Sequence, residues 1–429
     1  MKPLPTITGL LVTPGLGLIS NPVDLTSFQT QEFIAIGLVV DGRQIAWGDC
    51  IAAPEGEAAE YPPLNSSDLP AAIQKTVAPA LRGQTLDSFR RLSARVEDIT
   101  EEIAIAKTLP RPETNPKTIS RRDLFRGRLS AEASNGAALT EKVTITRPLR
   151  PAIRYGLSQA LLAAVAMTRQ ITMAEVIAQE YDLPPPKNSV PLHLEIKDPK
   201  TVRANSLIVR QVTSLGYTTA GRDVKAELGQ FGEILQKTVY RLPPQLPEAY
   251  RPVIHLDVRG GLGELYHHTP GRILGAFLSL EQGAGPCAVR VENPVSMANR
   301  QAQLELLLKL KGYLQRRKMR LQLVVGEGLE TLDEVKILAE AEAAHMLHLR
   351  PHRLGSLHQT VEAIVACKQK GLGVLLGGSY ADTERSQQVM SQVALAAQPD
   401  LLWVKPGPDA EASIAQVYNE MARTLAWIA

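Results

Sequence analysis

Between residues 189 and 407 one pattern recurs: a short apolar run, then a longer stretch whose apolar positions fall at helical spacing. The runs are "SVPLHLE" (189–195), "SLIVR" (206–210), "VIHLDV" (253–258), "CAVRVEN" (287–293), "LQLVVGE" (321–327), "MLHLR" (346–350), "GVLLGG" (373–378) and "LLWVKPG" (401–407). Short apolar runs of this length read as strands. Helical stretches such as "RQAQLELLLKLKGYLQRRK" (300–318) and "LHQTVEAIVACKQKG" (357–371) lie between most of them. Eight strands alternating with helices predict an α/β fold, a closed TIM-like (β/α)8 barrel. A doubly wound open sheet is the rival. It loses ground at "GGLGELY" (260–266), which follows a strand but lacks the G-x-G-x-x-G spacing of a dinucleotide-binding turn.

The pattern before residue 189 differs. "FIAIGLVVDGRQIAWGDC" (33–50) holds two β-rich runs around Asp41-Gly42, a hairpin signal. Residues 69–107 show helical periodicity, and 108–150 are rich in Pro, Arg and Ser and read as a long loop or insertion. "IRYGLSQALLAAVAMTRQ" (153–170) is apolar nearly all round and predicts a helix buried between two domains. The expected division is an N-terminal α+β domain over 1–185 and the barrel over 186–429.

Composition excludes more than it selects. Lys+Arg 47 nearly balance Asp+Glu 44 and aromatics are 4%, so neither a phosphate backbone nor stacked bases are expected partners. No apolar stretch reaches the ~18 residues of a membrane span, and no signal peptide opens the chain. "SRRDLFRG" (120–127) looks like a twin-arginine export signal, but it lies far inside the chain and no apolar segment follows it. Cys50, Cys287 and Cys367 are far apart and match no metal spacing; they read as reduced, buried thiols of a cytoplasmic protein.

Candidate chemistry lies at the strand ends. Asp257, Glu292 and Glu327 close three successive runs. In a βα barrel such ends share one mouth, where three carboxylates repel one another unless a cation offsets them. Hard oxygen ligands of that number suit Mg²⁺; taken singly, each acid is equally a cap held by a backbone N–H. In "MLHLR" the strand period puts His348 and Arg350 on one face.

"IRYGLSQALLAAVA", "IHLDVRGGLG", "VENPV", "LGGSYADTERS", "VALAAQPDLLWVKPG" and "VYNEMARTLAWI" together resemble the methylaspartate ammonia-lyase family of the enolase superfamily. The resemblance covers most of 33–425 and leaves 108–150 uncovered. It implies an N-terminal capping domain on the barrel, a homodimer, and Mg²⁺ that holds a substrate carboxylate and stabilises the enediolate formed when the adjacent proton leaves. The family's metal carboxylates fall on Asp257, Glu292 and Glu327, the third usually being aspartate. Its catalytic lysine falls on Arg350 and its histidine on Tyr217. Its substrate glutamines fall on Glu195 and His348, and its threonine–cysteine pair on Ser379 and Tyr380.

Arginine titrates above about 12 and is a poor base. Arg350 is better suited to clamp an anion, or to pair with a barrel acid such as Glu195 or Glu327. Tyr217 reads as an acid or weak base, or as a packed rim tyrosine. His348 is the neutral base left in the mouth. Lys405 is either a carboxylate ligand or a rim charge. Two readings stand: a Mg²⁺-dependent lyase or isomerase acting on a small carboxylate other than 3-methylaspartate, and a barrel without catalysis kept as a binding or scaffold subunit.

Overall fold

In the computed structural model of the chain the described residues are 4–20, 28–51, 68–108, 140–196, 212–219, 226, 251–407 and 410–429. Three antiparallel strands come first: β1 (Ile7–Ser20), β2 (Phe28–Val40) and β3 (Gln44–Cys50), in the order β1-β2-β3. The β2–β3 hairpin turns at Asp41 and Gly42, both at positive φ (48 and 68), with Arg43 N–H bonded to the Val40 carbonyl at 3.0 Å. That is the type I′ geometry the Asp-Gly pair predicts.

Helices α1 (Leu69–Leu81) and α2 (Phe89–Glu97) follow, the second capped by Ser88, whose side chain accepts from Arg91 N–H. Residues 100–107, read from sequence as helical, instead begin strand β4 (Thr100–Thr108), which pairs antiparallel with β5 (Thr140–Pro148). The expected loop at 108–150 therefore ends in a strand. "TEKVTITRP" is rich in β-branched residues, and a two-stranded ribbon satisfies its backbone where periodicity alone suggested nothing. The remainder of that stretch lies outside the described residues.

Helix α3 (Pro151–Arg169) is buried nearly all round, as its composition predicts. It packs on β3 through two glycines: a Cβ at Gly48 would land on the Gly156 carbonyl, and one at Gly156 on Cys50. Helix α4 (Met173–Glu180) opens on a Thr172/Glu175 capping box. No single helix among the described residues is long and apolar enough to cross a membrane.

The barrel strands are β6 (Leu192–Glu195), β7 (Ser214–Thr218), β8 (Val253–Asp257), β9 (Val289–Glu292), β10 (Gln322–Val325), β11 (Met346–Leu349), β12 (Gly373–Leu376) and β13 (Leu401–Val404). They close in chain order, every neighbour parallel. Seven lie on the expected runs. The second does not: "SLIVR" at 206–210 is outside the described residues, and the barrel strand is "SLGYT" at 214–218. The close approach of neighbouring side chains requires Gly216 there, since a Cβ would sit 2.7 Å from His193 Nε2.

Around the barrel, in chain order, lie α5 (Gly261–Leu265), α6 (Pro270–Ala284), α7 (Arg300–Arg316), α8 (Leu332–Ala341), α9 (Pro351–Leu354), α10 (Leu357–Gln369), α11 (Glu384–Ala397) and α12 (Ala410–Ile428). Apolar packing is split in two. A large cluster fills the space between strands, helices and the N-terminal sheet. A small separate one, Val324, Met346, Leu375, Tyr380, Leu401 and Trp403, plugs the barrel interior. The rest of that interior is polar, and it leads up to the strand ends.

Candidate functional site

Alternation along each strand decides which side chains enter the barrel. On β8 these are His255 and Asp257; on β9, Glu292; on β11, His348 and then Arg350 just past the strand. The hydrogen bonds agree. Glu292 is 2% exposed and is the hub of the site. Its Oε2 lies 2.7 Å from His255 Nε2, and its Oε1 lies 2.9 Å from His348 Nδ1 and 3.2 Å from Arg350 Nη2. Asn293 Nδ2 donates to Glu292 Oε1 at 3.3 Å and to Asp257 Oδ1 at 3.2 Å, bridging the two acids.

Burial alone would raise the Glu292 carboxyl, but His348, His255 and Arg350 outweigh it and hold it well below the usual carboxylate range. Asp257 goes the other way. Burial and the neighbouring Glu292 charge push its carboxyl well up.

Arg350 is 8% exposed. Besides Glu292 it donates from Nη1 to the Gly326 carbonyl at 2.9 Å. The fork thus spans a carboxylate and a backbone carbonyl, which a lysine ammonium on a single stem does not reproduce. Of the pairings expected from sequence, neither Glu195 nor Glu327 supplies the carboxylate; Glu292 does.

His348 is held at both ends. Its Nδ1 faces Glu292 and its Nε2 lies 3.1 Å from the Gly377 carbonyl. Burial pulls its basicity down. Whichever nitrogen carries a lone pair, that lone pair points at a protein acceptor and not into the mouth. The ring is therefore poorly placed to take a proton from a ligand.

The third acid is not where the sequence pattern put it. Gly326, not Glu327, occupies the inward position after β10: a Cβ there would land on Glu292 Oε1 and lie 3.2 Å from Arg350 Nη1. Glu327 is one residue further and turns outward, where it lines a groove of 460 Å³ with Met297, Leu304, Glu334 and Ile337. Its charge still contributes to the raised Asp257 carboxyl. Among the described residues, no three His, Cys, Asp or Glu side chains form a group able to hold a metal.

Tyr217 is likewise turned away. Thr218 Oγ1 donates to Glu195 Oε1 at 3.1 Å, so Gly216 and Thr218 face in and Tyr217 faces out, buried in the large apolar cluster. Glu195 does point into the interior, where Tyr380 Oη donates to its Oε2, and burial raises its carboxyl. Tyr380 stacks edge-on against Trp403 at 5.7 Å. Ser379 Oγ accepts from Ala381 N–H at 3.2 Å and shapes the turn after β12. Lys405 is outside the cluster. It donates to the Asp382 carbonyl at 2.7 Å and to the Leu18 carbonyl of β1, tying the N-terminal sheet to the barrel. There it lines a separate cavity of 690 Å³ with Asp49, Asp382 and Arg385.

Sequence reasoning missed four contributors: His193, His255, Asn293 and Gly326. His193 bonds Ser214 Oγ at 2.9 Å and meets His255 edge-on at 4.9 Å. Stepping back by two from Glu195 and Asp257 finds both histidines, because that is the inward period. Nothing local marks Gly326 as the inward position.

With this geometry in view, known proteins sharpen the picture. The C-terminal model of methylaspartate ammonia-lyase matches residues 186–429, and the N-terminal model matches 118–182. The chain belongs to the methylaspartate ammonia-lyase family. The N-terminal match reaches into the 108–150 stretch that the motif resemblance had left uncovered. Methylaspartate ammonia-lyase 2 of Carboxydothermus hydrogenoformans is 32% identical over 403 residues, covering 93% of this chain and 87% of that one. The Mg-complex of β-methylaspartase from Clostridium tetanomorphum superposes with a TM-score of 0.77 at 26% identity, over 99% of each chain. Muconate lactonizing enzyme of Pseudomonas putida, at 13% identity and a TM-score of 0.59, shares the fold, that of the enolase superfamily.

Set against the Mg-complex of that relative, the residues of this methylaspartate ammonia-lyase family member do not fit the ion. Mg²⁺ demands near-octahedral oxygen ligands at about 2.0–2.1 Å. Here one strand end supplies a glycine, and Glu292 already accepts from two imidazoles, a guanidinium and an amide. A carboxylate offers about four lone-pair positions, so little of Glu292 is left to bind a metal.

Proposed function

We propose that this chain is a methylaspartate ammonia-lyase family barrel without α-proton chemistry, kept as a binding subunit for a small carboxylate. The base positions carry the reading. His348 directs both ring nitrogens at protein acceptors, Arg350 does not yield a proton near neutrality, and Tyr217 sits outside the barrel. The ligand class is taken from relatives, one of whose structures contains (2S,3S)-3-methylaspartic acid.

The test is a panel of amino and hydroxy dicarboxylates incubated in D₂O. Proton NMR follows exchange, and calorimetry follows binding on the same samples. Binding without exchange is expected. Deuterium appearing at the carbon next to a carboxylate would sink the proposal.

A second reading, a Mg²⁺-dependent lyase or isomerase working through an enolate, has one observation in its favour. Asp257 and Glu292 remain paired in register at adjacent strand ends, a repulsive arrangement that favours a cation. It needs an inward ligand that Gly326 does not provide, and exchange that appears only with Mg²⁺ would establish it.

A further inference from the structure

We infer that Arg350 is the resident cation of this centre: its guanidinium stands where a divalent metal would sit, and the site neither takes nor needs Mg²⁺. Three acids, Glu195, Asp257 and Glu292, point into this end of the barrel and require positive charge. Arg350 answers all three. It bonds Glu292 directly at 3.2 Å, and its charge also favours the ionised forms of Asp257 and Glu195. A guanidinium is weakly hydrated and planar, so it enters a buried site at lower cost than an ammonium and satisfies two acceptors at once.

The space is built for it. Gly326 removes the side chain that would collide with both Glu292 Oε1 and the Arg350 fork, and its carbonyl then accepts from Nη1. Gly378, from the next strand but one, makes room for the neighbouring His348: a Cβ there would lie 2.6 Å from His348 Nε2, and at an ordinary contact distance of 3.4 Å from Arg350 Nε. Asn293 locks the frame: Oδ1 accepts from the N–H groups of Gly326 and Glu327 at 2.9 and 3.0 Å, while Nδ2 holds Asp257 and Glu292. A dication entering here would have to strip Glu292 of Arg350 and then sit beside a buried positive charge.

Ion binding, not turnover, tests this, so its failure is separate from failure of the functional reading. MgCl₂ is titrated into the full chain by calorimetry, Mn²⁺ binding is followed by electron paramagnetic resonance, and melting is recorded with MgCl₂ or EDTA. No saturable binding and no shift in melting temperature are expected for the natural sequence. The double variant Gly326→Asp/Arg350→Lys should gain saturable Mn²⁺ binding that Asp257→Asn removes. One Mn²⁺ bound per unmodified chain and lost in Asp257→Asn would overturn the inference. So would a folded double variant that still binds no Mn²⁺. If the double variant does not fold, the unmodified chain and Asp257→Asn decide alone.

Discussion

Replacing Arg350 with methionine keeps a long apolar stem but deletes the charge and both donors. Glu292, 2% exposed, then loses its guanidinium partner, and the Gly326 carbonyl loses the bond from Nη1 at 2.9 Å. Breaking one side of a buried ion pair typically costs about 3–5 kcal/mol, because the remaining charge stays desolvated. His255, His348 and Asn293 still serve Glu292, which places the cost nearer the lower figure. At roughly 2–4 °C per kcal/mol for a barrel-sized domain, the melting temperature should fall by about 6–12 °C at neutral pH.

The loss carries a pH signature. The Glu292 carboxyl is depressed in the fold, so its stabilisation is fully present above the unfolded value of about 4.3 and is lost as pH falls through the folded value. Arg350→Met weakens that depression, so the gap between variant and parent should narrow on the acid side. Calorimetric melting from acidic to neutral pH measures both effects. A drop below about 2 °C at neutral pH, or a gap that widens with acid, would refute the account of Arg350 as a buried counter-charge.

Three further outcomes are expected. Arg350→Lys should not by itself give release of ammonia from 3-methylaspartate, since Gly326 and the bound His348 remain; an ammonia assay checks this. Gly378→Ala should destabilise by roughly 2 kcal/mol or more, because φ is +109 and the new Cβ would lie 2.6 Å from His348 Nε2, and denaturant unfolding should show it. Asp382, raised by burial to about 6, carries a penalty that is present above that pH and fades as pH falls toward its ordinary value near 3.8. Asp382→Asn should therefore raise stability at pH 7, by at most about 3 kcal/mol, and flatten the melting-temperature profile between about pH 4 and 6; a profile that keeps its slope would count against this.

The barrel was legible from the chain because seven of its eight strands fall on short runs rich in apolar residues, separated by helical stretches long enough to return across them. Composition and run length are local properties, and they survive without knowledge of what packs where. The buried helix at 151–169 and the Asp41-Gly42 turn were legible for the same reason. The shared face of His348 and Arg350 followed from the strand period of two, and the convergence of Asp257 and Glu292 from their place at strand ends that share one mouth. The period of two holds through the strand ends; what the sequence leaves open is its phase, and one residue of phase decided the site. It put Gly326 inside and Glu327 outside, and it turned Tyr217 away while Thr218 faced in. Only the closed barrel brings β9, β10 and β11 side by side, so only tertiary structure could show that the partner of Arg350 is Glu292, 58 residues away in sequence.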